Sequence, residues 1–499
     1  MPDDLAESLI HPRLPKQGNA KQSPQGPGWE LFLIVALASL FVVLGAPVGY
    51  VFALAGIVAV LCAWRFPYAG FYIFLALALL TNWIVSIWTG RLEFSDRVFG
   101  GTIDIGVGEL AAMAVFAAWT IRLFIAAIKD KEKIRLWRPW LPFVFAFVFL
   151  VVAQILSLFS IAQPDPLLVV KYALRPVFLV YLTCILLPVN FIQTKKRLLS
   201  SLLVLVAIGI FFALDGFRSL AVPINGSYLH FAVPMPILGR YPIGDNHNAL
   251  AEILVFLAPA SMALAALVRS RRAKRLAGYA AVFMAGIALL TFARSAWLAI
   301  GIEAVFLFAT LWRPWLKKHI RTFLLLCIAC VPLLGAMAVY SAQSEVKGSN
   351  ESRALLASIA WDLFKSSPWI GVGAGAFVDR VAHVYAFTIE FGSPLDAHGM
   401  LQKVGAETGL IGLFALACVF WLIVSYGREA WTFVRKESRD ERAVFYFLAS
   451  GAIGAFVYQL FSTTSWTSHL WLPIGMFLAA ARVLPSRHTE DPEYLNSHG

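Results

Sequence analysis

The sequence predicts an all-α polytopic membrane protein of about 12–14 transmembrane helices, with a large loop on the outer side that contains short helices of its own. Three observations point there. Of 499 residues, 60% are hydrophobic and 14% charged, with a mean hydropathy of +0.74, which excludes an ordinary soluble globule. Apolar windows of about 20 residues, the length that crosses a bilayer, recur from Leu31 almost to the C-terminus. Most of the 41 Lys and Arg fall in short loops on one side of those windows, so the net charge of +12 reads as topology rather than as a nucleic-acid footprint.

Residues 1–28 are polar, rich in Pro, Gln, Gly and Lys, and lack an apolar h-region; they predict a disordered cytoplasmic tail rather than a cleavable signal. The apolar block from Trp29 to Trp64 is too long for one helix and breaks at Ala46-Pro47-Val48-Gly49, giving a tight pair of spans. Further spans are predicted at 68–88, 107–127, 140–161, 167–188, 199–216, 247–267, 277–292, 295–312, 322–341, 401–425, 443–463 and 468–483. The basic loops 129–138, 195–197, 269–275, 313–321 and 428–442 all lie on one side, which places both termini in the cytoplasm. Residues 29–483 thus form a single transmembrane domain, and 484–499 a cytoplasmic C-terminal tail.

The outer side holds 89–106, 217–246, a tight turn around Arg294, and the loop 342–400. That last loop has a helical pattern, RALLASIAWDLFKSSP, followed by the glycine-rich WIGVGAGAF, which is more than a connector needs. The five cysteines sit in apolar surroundings, and Cys327 and Cys330, a C-x-x-C without a second ligand pair nearby, read as packing residues. There is no Walker A motif, dinucleotide fingerprint or H-E-x-x-H, and the histidines are scattered, so neither cofactor nor metal is expected.

The chemistry concentrates in DAHGMLQKVGAETGLIG, Asp396 to Gly412. His398 stands where a loop meets the mouth of a membrane helix, with Gln402 one turn further in and Glu407 beyond it. A neutral imidazole there could take a proton from a hydroxyl, which makes His398 the candidate general base; the alternative is an interfacial histidine bonded to backbone. Glu407 is the second catalytic candidate, orienting His398 or Lys403, or else pairing with a buried arginine.

Arg240 and Arg294 lie on the side with few cations, and Arg175 lies inside a span with Lys171 one turn away on the same face. Guanidinium groups converging on an outer cavity suit a diphosphate, whose oxygens the planar fork grips; Lys171 reads equally as a snorkelling side chain. In Asp245-Asn246-His247-Asn248, a helix cap and a substrate contact are both open, and His247, Asn248 and Gln402 are the remaining binding candidates.

At these residues the chain resembles the O-antigen ligase-like membrane protein family, which includes lipopolysaccharide O-antigen ligases, polysaccharide polymerases and protein O-glycosylation ligases. The landmarks are Arg240…Gly244…Asn248-x-x-Ala251, Arg294-Ser295-Ala296-Trp297, Pro368-x-x-Gly371-Val372-Gly373-x-Gly375-x-Phe377, and Ala397-His398…Leu401-Gln402…Glu407-x-Gly409-x-x-Gly412. Departures are Ala293 for the serine usual before the tip arginine, Gly399 for an asparagine common after the histidine, and His247 for a usual proline. The resemblance implies a bacterial inner-membrane ligase with its active site facing the periplasm. Its donor is a glycan on undecaprenyl diphosphate. It is transferred with inversion and without metal to a hydroxyl of an acceptor lipid, glycan or protein. A polymerase of the same superfamily is the alternative within that class, and an anion transporter the alternative outside it.

Overall fold

The computed structural model describes residues 50–88, 102–129, 139–161, 176–223, 231–237, 239–322, 325, 328, 332, 344–462 and 466–485. The chain is a helical polytopic membrane protein. Among the described residues, six helices are long and apolar enough to cross a membrane. They are α3 (Val107–Lys129), α4 (Trp140–Leu158), α6 (Lys195–Ser219), α7 (His247–Leu267), α8 (Arg271–Leu290) and α14 (Met400–Val434). Before α3 come α1 (Tyr50–Arg65) and α2 (Pro67–Leu77), and after α4 a π-helical segment, Pro176–Leu186, runs into the short α5 (Leu187–Phe191). α9 (Arg294–Thr310) and α10 (Arg313–Lys318) follow α8, and α15 (Arg439–Gln459) and α16 (Ser468–Val483) close the bundle.

α7 is the central helix, buried on nearly every side and packed against α6, α8 and α15. Its only internal breaker, Pro259, is tolerated because neighbouring helices surround it. A second contact, α4 against α14, completes the framework around Trp471 of α16, whose ring lies 5.5 Å from Phe147 and 5.7 Å from Phe420. At the α6/α8/α15 end, Ser438 and Glu441 form a capping box at the start of α15, and Glu441 also pairs with Lys195.

Two details differ from the sequence expectation. The predicted span 68–88 stops at Leu77; the chain turns through Thr81 and Asn82 and pairs β1 (Ile84–Trp88) antiparallel with β2 (Thr102–Gly106). β-Branched and aromatic residues in IVSIW favour a strand once the polar Thr-Asn pair ends the helix. The segment 176–186 is π-helical rather than α-helical. The predicted span 322–341 and the Cys327/Cys330 pair lie largely or wholly outside the described residues.

Residues 344–400 fold as a cap. α11 (Ser344–Ser366), α12 (Phe377–Ala382) and α13 (Tyr385–Phe391) bury Leu356, Ile359, Phe377, Val381 and Phe387 together with Ala397 and Ala406. The cap has its own small apolar core, and that core is continuous with the start of α14.

Candidate active site beneath the cap

The base of the site is an interlock between the glycine-rich turn and a break in α14. Gly409 has φ +63 and ψ −158 inside the helix, so the ladder is interrupted there. The turn 368–373 fills the gap: Leu410 N–H donates to the Pro368 carbonyl at 2.8 Å, and Val372 and Gly373 N–H donate to the carbonyls of Ala406 and Glu407 at 2.9 and 3.0 Å. The backbone groups orphaned by the break are thereby paired. Only glycine allows this at 371, where φ is +73 and an added Cβ would fall 2.2 Å from the Glu407 carbonyl carbon.

Glu407 is buried, and its carboxylate accepts from the N–H of Phe377 at 3.3 Å and from Gly375. From α4, Ser157 Oγ accepts from Ala374 N–H at 2.9 Å, and from the turn just after it Ser160 Oγ donates to the Gly371 carbonyl at 2.7 Å. The structure therefore places Glu407 on the turn backbone. Lys403 pairs instead with Asp396, and that pair ties the incoming loop to the first turn of α14.

His398 is half-buried just before α14. Burial first, and then the Arg353 guanidinium, push its imidazole below the usual histidine range, with Asp396 pulling the other way. At neutral pH the ring is neutral and can accept a proton. Gly399 lies close against the next helix: a Cβ there would come 2.8 Å from the Leu460 carbonyl, so a larger residue would require this approach to loosen. Gln402, one turn in, is exposed.

Arg294 opens α9 after a tight turn in which Phe292 adopts φ +56, the non-glycine residue with positive φ among the described residues. Trp297 Nε1 donates back to the Leu289 carbonyl at 3.0 Å, closing the tip. Arg294 Nη1 donates to Asn350 Oδ1 of α11 at 2.5 Å, which docks the cap on the bundle. Arg353 follows Asn350 by one turn on the same face of α11.

Arg353 is the site residue that the sequence reading leaves out. Its Nε is buried with no hydrogen-bond partner among the described residues. Its charge acts on His247, His398 and Tyr458, and burial, then the Arg294 charge, lower the Arg353 guanidinium from its ordinary value. Arg353 thus has a buried Nε without a hydrogen-bond partner among the described residues and lies in the field of a second guanidinium, Arg294. The sequence reading does put Arg353 on the side expected to be poor in cations, but takes it only as the start of the helical pattern RALLASIAWDLFKSSP.

Asn248 contributes its backbone carbonyl, which accepts from Tyr458 Oη at 2.8 Å, while Asn246 Oδ1 caps α7 through Ala249 N–H at 3.0 Å. His247 packs on Phe231, ring centroids 5.2 Å apart. Arg240 is exposed, with no hydrogen bond from its guanidinium among the described residues; its backbone bridges to Ile237 across Gly239, where φ is +74. Lys171 and Arg175 lie outside the described residues. The structure thus joins Arg294, Arg353, His247 and His398 electrostatically, while Arg240 is exposed and not among the charges acting on them.

A helical membrane protein with a capped, cationic, histidine-bearing site at one end of the bundle is the class defined here. Residues 279–417 match the model of the family described as O-antigen ligase, which bears out the O-antigen ligase-like resemblance over that stretch. The matched stretch includes Arg294, Arg353, His398, Gln402 and Glu407; Arg240, His247 and Asn248 precede it. No curated protein matches the chain.

Proposed function

We propose that the chain is an inner-membrane glycosyltransferase, a ligase that moves a glycan from undecaprenyl diphosphate to an acceptor hydroxyl at the periplasmic face. The observation that carries this reading is Arg353 in the field of Arg294 and acting on a neutral His398, inside a segment similar to O-antigen ligases. The two guanidinium groups match the two negative phosphates of such a donor, and the histidine matches the proton that an attacking hydroxyl must lose.

In the proposed reaction His398 takes the acceptor's hydroxyl proton as the oxygen bonds to the anomeric carbon. The bond from that carbon to the diphosphate oxygen breaks, and its electron pair leaves with the diphosphate. Arg294 and Arg353 offset the charge that develops on that oxygen. A single displacement inverts the anomeric centre, and activation already stored in the donor removes any need for a metal or nucleotide. The exposed Arg240, with Arg175 and Lys171, is assigned to the outer phosphate and Asn248, His247 and Gln402 to the glycan end. Glu407 acts as a positioning residue, holding the turn against α14.

The test is a deletion strain whose surface and lipid-linked glycans are profiled by gel and mass spectrometry. Full-length chains stranded on lipid are expected. Single repeat units on lipid would instead mean a polymerase, in which the acceptor is the growing glycan, and unchanged glycans would remove the enzyme reading.

A further inference from the structure

Below the site lies a buried polar cluster that the proposed reaction does not use. Glu252 sits one turn below Asn248 on α7, and only 6% of it is exposed. His469, at the second position of α16, brings Nδ1 to 3.3 Å from Glu252 Oε1. Gln459, the last residue of α15, donates from Nε2 to the same carboxylate oxygen. On its other side, His469 Nε2 lies 3.1 Å from the Leu79 carbonyl and 3.4 Å from Thr81 Oγ1, and Ser468 Oγ donates to the Ala78 carbonyl. Nδ1 faces the Glu252 carboxylate without completing a hydrogen bond, and Nε2 faces the Leu79 carbonyl.

The contacts continue outward from that point. Asn82 N–H donates to the Pro242 carbonyl at 2.9 Å, and Asn82 Nδ2 donates to the Tyr241 carbonyl at 2.8 Å. Tyr241 follows Arg240 directly. Among the described residues, the segment around Arg240 is otherwise held by a bridge to Ile237 across a glycine turn and by the buried Pro242 and Ile243, while the Arg240 side chain itself is exposed. A carboxylate and an imidazole in the apolar bundle are costly unless they fix something.

We propose that Glu252 and His469 form a strut that sets the position of Arg240 through residues 79–82. They are positioning residues for the anion end of the site, a role that rests on the proposed reaction only for its catalytic consequence. The geometry itself is independent of what the protein turns over, so the experiment reads it in two ways.

In the purified full-length protein in nanodiscs, hydrogen exchange of the amides in 239–246 is compared with that in 371–377. His469→Ala is expected to speed exchange in 239–246 by about tenfold or more, the scale set by losing one charged contact, and to leave 371–377 unchanged. His469→Gln, which can still donate to the Leu79 carbonyl, restores most of the protection. In transfer assays with an undecaprenyl diphosphate-linked glycan, the Ala variant raises the donor KM with kcat nearly unchanged, and adding Arg240→Ala costs little more. Glu252→Gln carries the same readings if His469→Ala yields no folded protein. Unchanged exchange in 239–246, exchange that rises equally in 371–377, or losses that multiply with Arg240→Ala would overturn the strut. A wild-type protein inactive on this donor would overturn the proposed function instead, and the exchange comparison would still decide the strut.

Discussion

At the scale of single residues, the proposed base His398 lies in the field of Arg353, which itself lies in the field of Arg294. His398 is held below the ordinary histidine value by burial and Arg353, so its basic form persists to lower pH than in a free imidazole. The rate should therefore be flat at neutral pH and fall only as pH drops through that lowered pKa, on the acid side of about 6.5. Arg353→Ala should raise the pKa read from that profile, because one of the two causes lowering it is gone; a profile that does not move would remove Arg353 from the neighbourhood of the base. The same variant should cost on the order of 2–5 kcal/mol in kcat/KM if a diphosphate binds there, and Arg353→Lys should recover only part, since a point charge cannot reproduce the fork. Arg294 and His398 were legible from the sequence because each is a costly residue at a helix mouth. Arg353 was not, because an arginine one turn from Asn350 in an amphipathic helix looks like a solvated face until the cap is folded down.

At the scale of elements, two motifs far apart in sequence prove to be one object. PWIGVGAGAF and ETGLIG were legible as separate glycine-rich patterns, but nothing in either announces that one fills a break in the helix formed by the other. The close approach at Gly371 makes this testable. Gly371→Ala must relieve both a left-handed backbone and a Cβ aimed at the Glu407 carbonyl, and should cost about 2–4 kcal/mol of stability, read as a lowered melting temperature in detergent. Glu407→Gln gives up acceptor capacity toward Gly375 and Phe377 and should destabilise by about 1–3 kcal/mol. Its folded fraction should turn over near the wild-type rate. A Glu407→Gln protein with wild-type melting and no turnover would instead make the carboxylate a participant in proton transfer. The β1/β2 hairpin was missed for a different reason: an apolar strand of five residues has no period of its own to separate it from the end of a span.

For the whole molecule, the bundle places the cap, Arg294 and His398 at one end and the Lys195–Glu441 pair with the basic 428–442 interval at the other. The apolar windows and Lys/Arg asymmetry made that arrangement readable, since a bilayer constrains length and charge more tightly than water does. Cysteines introduced at the exposed Ser393 and Lys436 should differ in intact cells: only the first should react with an impermeant maleimide, and equal labelling would reverse or abolish the proposed sidedness. The central claim is that this chain, without metal, transfers a glycan from a lipid diphosphate with His398 as the base. The most direct measurement is single-turnover transfer from an undecaprenyl diphosphate-linked glycan by purified protein with chelator present, comparing wild type with His398→Gln. The account predicts an active wild type and a Gln variant that still binds the donor but transfers about 10²–10⁴-fold more slowly. A Gln variant as fast as wild type, or a wild type silenced by the chelator, would contradict it.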